Sequence, residues 1–237
     1  MHCTIVIPAY NTAAHIARTL NSCCLQTYKD FDVLVVDDGS TDGTYKEVER
    51  FLRHRPVSII RYKNNRGLPS ALDMGIKNAF GPVVTFVGSD DELLPCSLSS
   101  AVPEFTRDPE LGYLWTNFRF RSGRLGWSRP LPPNETLWSA ICRRGWWAAS
   151  CQQFFRKEAY LASRGLDPKI RLAVDYQLAV RLGETGCRVK HVPTVTYVYN
   201  HPRDGSMSSN HRAEQTRCDK QVREESKRYM AEAVSRV

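Results

Sequence analysis

Along the first half of the chain, short apolar runs rich in β-branched residues alternate with segments of helical spacing. Thr4–Ile7 is the first such run and stops at Pro8. Over residues 12–26, Ile16, Leu20, Cys23 and Cys24 share one face at helical spacing. Phe31–Val36 predicts a second strand that breaks at Asp37-Asp38-Gly39-Ser40, and Ser40, Thr41 and Asp42 are N-cap residue types for a helix opening near Thr44. Val57–Arg61 predicts a third strand. After the turn residues Asn64-Asn65-Arg66-Gly67, Pro69 suits the first turn of a helix running to about Ala79. Val83–Val87 predicts a fourth strand, broken by Gly88-Ser89-Asp90-Asp91. Strands separated by helices build βαβ units and a mostly parallel sheet, which binds ligands at the strands' carboxyl ends.

The pattern loosens after residue 116. A helix is predicted around Asp175–Leu182, short strands at Val189–Val192 and Val195–Tyr199, and a charged helix from His211 to the end. Residues 137–151 hold Trp138, Trp146, Trp147 and the pair Arg143-Arg144. No repeat, low-complexity tract or flexible linker marks a second compact domain.

Composition narrows the class. With 237 residues, 42% hydrophobic and 10% aromatic, the chain can bury a full core and is not a disordered polymer. No apolar run approaches the roughly 20 residues of a membrane helix. No basic and apolar leader precedes Thr4, so a soluble cytoplasmic protein is expected. The net charge of +8 is uneven: residues 1–116 carry 11 Lys/Arg against 14 Asp/Glu, residues 117–171 carry 11 against 3, and residues 172–237 carry 11 against 8. The basic middle suits phosphates of a ligand, an anionic membrane surface or nucleic acid, or is a solvated surface. The eight cysteines form no C-x-x-C pair and are expected to be reduced, mostly buried and without a catalytic role.

Two pairs of carboxylates, Asp37/Asp38 and Asp90/Asp91, fall directly after strands, at the edge where such sheets bind ligands. Asp and Gly also form turns for purely local reasons. Two acidic pairs at equivalent strand ends exceed what turns require, which favours function.

The ordered series Val6-Ile7-Pro8-Ala9-Tyr10-Asn11, Val35-Val36-Asp37-Asp38-Gly39-Ser40, Asn65-Arg66-Gly67, Gly88-Ser89-Asp90-Asp91-Glu92-Leu93-Leu94-Pro95 and Asp175-Tyr176-Gln177-Leu178 resembles the family 2 glycosyltransferases, over roughly residues 3–202. The resemblance implies an α/β GT-A (Rossmann-like) nucleotide-sugar-binding fold. Residues 1–202 would form one domain, with 1–116 as nucleotide-binding half and 117–202 as acceptor half. Residues 203–237 would add a basic loop and a C-terminal helical extension.

It further implies that Pro8, Ala9, Tyr10, Asn11, Asp37, Asp38, Asn65, Gly67, Ser89 and Asp90 bind the nucleotide, with the Tyr10 ring against the base. For Tyr10, packing at a strand end is the local alternative. Asp90 and Asp91 would hold Mn²⁺ or Mg²⁺ against the diphosphate; Gly88 stands where the family's commonest D-x-D-D has its first Asp. A second departure is Asp73, where relatives frequently carry Asn. Asp175 would be the general base of an inverting transfer, although an Asp opening a helix also serves as an N-cap. Tyr199-Asn200-His201 and Ser206-Met207-Ser208 resemble the family's closing segment, so His201 and Arg203 would meet the diphosphate. Trp146 and Trp147 would stack on an acceptor sugar, or else anchor a core.

The expected partners are a nucleotide-sugar donor, UDP-linked by resemblance, and a glycan or lipid-linked acceptor, with peripheral contact to the anionic inner face of a membrane and no nucleic acid. A nucleotidyltransferase is disfavoured because Pro8-Ala9-Tyr10-Asn11 replaces the Gly-rich basic loop it needs after strand one. A nucleotide-sugar-binding protein with weakened or no catalysis is the alternative that Gly88 keeps open.

Overall fold

A computed structural model of the chain describes residues 1–53, 56–123, 125–126, 131, 135–144, 152–200 and 212–235. The first half follows the apolar pattern closely: β1 (Cys3–Ala9), α1 (Ile16–Cys24), β2 (Phe31–Asp37), α2 (Thr44–Leu52), β3 (Val57–Arg61), α3 (Leu68–Asn78) and β4 (Val83–Phe86). β5 (Glu92–Leu93), α4 (Ser97–Arg107), β6 (Leu111–Phe120), β7 (Leu125–Gly126), α5 (Leu137–Arg144), β8 (Gln153–Arg156) and α6 (Lys157–Ala162) come next. The chain continues through α7 (Val174–Glu184) and β9 (Arg188–Tyr199) to α8 (Arg212–Val234).

The strands form one sheet in the order β3-β2-β1-β4-β8-β6-β9-β5, with β7 beside β6. β1 to β4 run parallel to one another, as the βαβ pattern requires. β8 is antiparallel to both β4 and β6, so β6 again runs with β4, and β9 is parallel to β6. The carboxyl ends of β1, β2, β4, β6 and β9 therefore meet at one edge. The change in charge balance at residue 116 falls inside β6, so the acidic and basic halves share this sheet. The two short strands expected near the C-terminus are one strand, β9, with a register irregularity against β6 near Asn117.

Alternation along the strands divides the core between the two faces. Ile5, Ile7, Val33 and Val35 pack with α1, α2 and α4; Val6, Leu34 and Val36 point the other way, toward α3 and α7. Nearly every position of β1 and β2 is buried, as in strands covered on both faces. Helix α8 is fastened to α5 and α7 by a buried polar cluster. Trp138 Nε1 donates to Ser226 Oγ at 2.8 Å, Ser226 Oγ donates to Glu184 at 2.5 Å, and Arg164 and Arg181 also donate to Glu184. Burial pushes the Glu184 carboxyl above its ordinary pKa.

Several arginines of the basic middle have intramolecular partners. Arg156 donates to the carbonyls of Leu111, Phe105 and Asp108, Arg121 pairs with Glu92, and Arg164 pairs with Glu184. Seven of the cysteines lie among the described residues and all are free thiols; Cys3, Cys23 and Cys142 are buried, which pushes them upward, whereas Cys24, Cys96, Cys187 and Cys218 are partly exposed. Among the described residues no helix is long and apolar enough to cross a membrane.

Helix α3 sits close on β1 because Gly75 has no side chain: an added Cβ would stand 2.3 Å from Val6 Cγ1. Gly75→Ala should lower stability by about 1–3 kcal/mol, read as a lower denaturant midpoint with unchanged slope. An unchanged midpoint would contradict this packing.

Candidate active site

The turns after β1, β2 and β4, the start of α7 and the end of β9 open onto one cleft of about 730 Å³. Of the expected site residues, Pro8, Ala9, Tyr10, Asn11, Asp38, Asn65, Gly67, Ser89, Asp90, Asp91 and Asp175 all line it. Asp37 does not. It is fully buried behind the cleft, where its Oδ1 accepts the Ser40 N–H at 2.9 Å and its Oδ2 lies 3.1 Å from Arg61 Nε. His201, Arg203, Trp146 and Trp147 lie outside the described residues.

Asp38 is held by the neighbouring turn. Its two oxygens accept the backbone N–H groups of Arg66 and Gly67, each at 2.8 Å, which explains why the Asn65-Arg66-Gly67 turn accompanies the second-strand Asp pair. Burial raises its carboxyl above the ordinary range and the two N–H donors oppose that shift. Tyr10 is about half exposed at the cleft, with its ring available as a flat apolar wall. Asn11, with φ of 51°, links β1 to the β2 turn: its N–H donates to Ser40 Oγ at 3.0 Å and its Oδ1 accepts the Thr41 N–H at 2.9 Å.

The turn after β4 is tied to the far end of the chain. The Asp91 carboxylate is buried, accepting Tyr197 Oη–H at 2.6 Å and the Asn200 N–H at 2.7 Å. The Gly88 N–H donates to Tyr197 Oη at 3.3 Å, while Thr19 and Arg18 of α1 donate to the carbonyls of Asp91 and Asp90. Gly88 has a steric role here. A Cβ at this position would stand 2.8 Å from Asp91 Oδ2 and 3.1 Å from Asp90 Oδ1, so the two carboxylates occupy the space an Asp at 88 would enter.

Among the described residues no three His, Cys, Asp or Glu side chains form a metal cluster. Two adjacent carboxylates still fit a hard cation such as Mg²⁺ or Mn²⁺, which binds one or two protein carboxylates and completes its shell with phosphate and water oxygens.

Asp175 sits in the first turn of α7. It is not the N-cap: that position is Ala173, whose φ of 59° costs about 1–2 kcal/mol in a non-glycine residue. The Asp175 Oδ1 accepts the adjacent Tyr176 N–H at 2.9 Å. Burial raises its pKa to about 6, with the charge of Asp219 on α8 adding to the shift. This carboxylate can therefore exchange a proton near neutral pH. Asp73 lies away from the cleft, where its Oδ1 accepts Tyr160 Oη–H at 2.7 Å and its Oδ2 pairs with Lys77.

Tyr199 and Asn200 of the closing segment also line the cleft, and several lining residues carried no sequence signal: Thr12, Phe86, Arg171 and Gln215. Thr12 Oγ1 is buried without a hydrogen-bond partner among the described residues. Gln215 comes from α8, and only the packing of that helix on α7 could have brought it here.

Solved structures with this architecture are GT-A glycosyltransferases. S. aureus TarS 1–349 in complex with UDP superposes with a TM-score of 0.72 at 22% identity, over 85% of this chain and 61% of that one. The mannosyltransferase PcManGT from Pyrobaculum calidifontis, in complex with GDP-Man and Mn²⁺, gives 0.66 at 24% identity, over 86% and 58%. The fold is thus of the GT-A class. The model of glycosyl transferase family 2 matches residues 4–162, and the chain belongs to that family. Chondroitin synthase of Escherichia coli is 33% identical over 202 residues, 82% of this chain and 28% of that protein, so the chain spans little more than a quarter of that relative's length.

The Tyr197 hydroxyl is the hinge of the Asp91 arrangement. Tyr197→Phe keeps the buried ring and removes the donor to Asp91 and the acceptor for Gly88. A loss of about 1–3 kcal/mol is expected by denaturant titration. A variant as stable as the original would show that this bond does not hold the turn.

Proposed function

We propose that the protein is an inverting glycosyltransferase. It moves a sugar from a nucleotide-diphosphate donor, UDP-linked by preference, to a hydroxyl of a glycan, glycolipid or other acceptor. The observation that carries the reading is the gathering of Asp38, Asp90, Asp91 and Asp175 around one cleft, with Asp175 raised by burial to about 6. Carboxylates whose environments separate their proton affinities divide the work between charge and proton transfer.

In this reading Tyr10 stacks on the base and Asp38 orients the nucleoside beside the Asn65–Gly67 turn. Asp90 and Asp91 hold Mg²⁺ or Mn²⁺, which when bound neutralises charge growing on the departing diphosphate. Asp175 accepts the proton of the acceptor hydroxyl as its oxygen attacks the anomeric carbon from the face opposite the leaving group. That attack inverts the configuration. The complexes of TarS with UDP and of PcManGT with GDP-Man and Mn²⁺ support a nucleotide-diphosphate donor and, from PcManGT, a divalent metal.

A second reading, a nucleotide-sugar-binding protein with weakened catalysis, is favoured by Gly88, which stands where the family's commonest motif has its first Asp. Tight nucleotide binding without transfer from any UDP- or GDP-sugar would select it.

Asp175→Asn should lower kcat by about 10²–10⁴-fold while leaving nucleotide affinity in place. In the original, kcat/KM should rise with pH through about 6 as Asp175 loses its proton. The raised pKa also sets the sign for stability: the contribution of the protonated form is complete below the ordinary carboxylate pKa and disappears as pH rises through about 6. Asp175→Asn should therefore gain melting temperature over the original at pH 8 and lose that gain near pH 4. Unchanged turnover in the variant would exclude Asp175 as the base.

A further inference from the structure

Arg171 is an exposed residue lining the cleft in the segment that leads into α7. It is the one Lys or Arg among the described lining residues, which otherwise bring Asp38, Asp90, Asp91 and Asp175. Its guanidinium has no hydrogen bond or ion pair among the described residues, whereas Arg156, Arg164 and Arg181 nearby in sequence are all engaged by carbonyls or carboxylates. Resting on the transferase reading above, we propose that Arg171 is a specificity residue that binds an anionic group of the acceptor, a carboxylate or a phosphate.

The argument is electrostatic and geometric. A cleft lined by four carboxylates repels an anionic acceptor unless a cation compensates at the point where its charge lies. A planar guanidinium matches carboxylate and phosphate oxygens two at a time, and an unpaired one gives up no protein partner when it does so. Arg171 precedes Asp175 by four residues, so even a fully extended chain leaves their Cα atoms within about 14 Å. The left-handed Ala173 bends the backbone between them. An acceptor hydroxyl presented to Asp175 thus places its neighbouring substituents near Arg171. The donor's diphosphate is the other source of such an anion, and the turn at Gly88–Asp91 already provides for it.

The test is calorimetric titration of the protein, saturated with UDP and Mn²⁺, with paired oligosaccharides. One pair ends in a hexuronate or its carboxyl-reduced counterpart; the other ends in a phosphorylated sugar or its dephosphorylated counterpart. The original should bind the anionic member of at least one pair about tenfold more tightly or better. Arg171→Gln should bring that ratio close to one, and Arg171→Lys should keep part of it, with UDP affinity unchanged in both. Circular dichroism confirms that the variants, altered at an exposed position, remain folded.

A ratio unaffected by Arg171→Gln overturns the proposal, as does an original protein that binds UDP without preferring either anionic acceptor. Weaker binding of UDP, with uridine unaffected, in Arg171→Gln would assign the guanidinium to the donor's phosphates and equally overturn it. An original that binds UDP no better than GDP is titrated with GDP in its place, and one that binds neither instead refutes the transferase reading, with which this inference falls.

Discussion

The buried carboxylate of Asp91 joins parts of the chain that are more than a hundred residues apart. By accepting the Tyr197 hydroxyl and the Asn200 N–H, it fixes the turn after β4 to the end of β9. The pairing of β5 with β9, Glu92 opposite Val198 and Leu93 opposite Tyr197, continues the same attachment. A buried anion without these donors would cost several kcal/mol, so the two ends hold each other. Strand direction makes the meeting possible. Because β8 is inserted antiparallel between β4 and β6, β9 runs with the parallel strands and ends at their carboxyl edge.

From that join the electrostatics of the cleft follow. Four carboxylates face one space, and each has its own environment. Asp38 is matched by two backbone N–H groups, Asp91 by a hydroxyl and an N–H, while Asp175 is raised by burial with one short-range donor. Such a site suits cations and charge-neutralising chemistry on a phosphate leaving group, and in Asp175 it offers a carboxylate able to take a proton near neutral pH. Lack of a side chain at Gly88 belongs to the same arrangement, since the Asp90 and Asp91 oxygens fill the space beside its Cα.

Much of this was legible in the sequence wherever the cause is local. Strands covered on both faces leave continuous apolar runs, and the turns after β2 and β4 declare themselves through Asp, Gly and Ser. Asp37 shows the limit of that reasoning: as the last residue of β2 it is buried against Arg61, while Asp38, the next residue, reaches the cleft. Helix α4 left no clear signal because Pro103 lies inside it and serines open it. Strand β6 was obscured because a division by charge runs through it, and β8 is only four residues long. Arg171 and Gln215 could not be foreseen, because their place at the cleft depends on how α7 and α8 dock through Glu184, Ser226 and Trp138.

The central claim is that the Asp90/Asp91 turn and the Asp38 turn together form a metal-assisted nucleotide-diphosphate site. Calorimetric titration of the protein with UDP and GDP, with and without Mn²⁺, and again after Asp90→Asn, tests it most directly. The account expects one nucleotide to bind more tightly when Mn²⁺ is present, and that gain to disappear in the variant. Binding that is indifferent to Mn²⁺ in the original protein, or the absence of nucleotide binding, would contradict it.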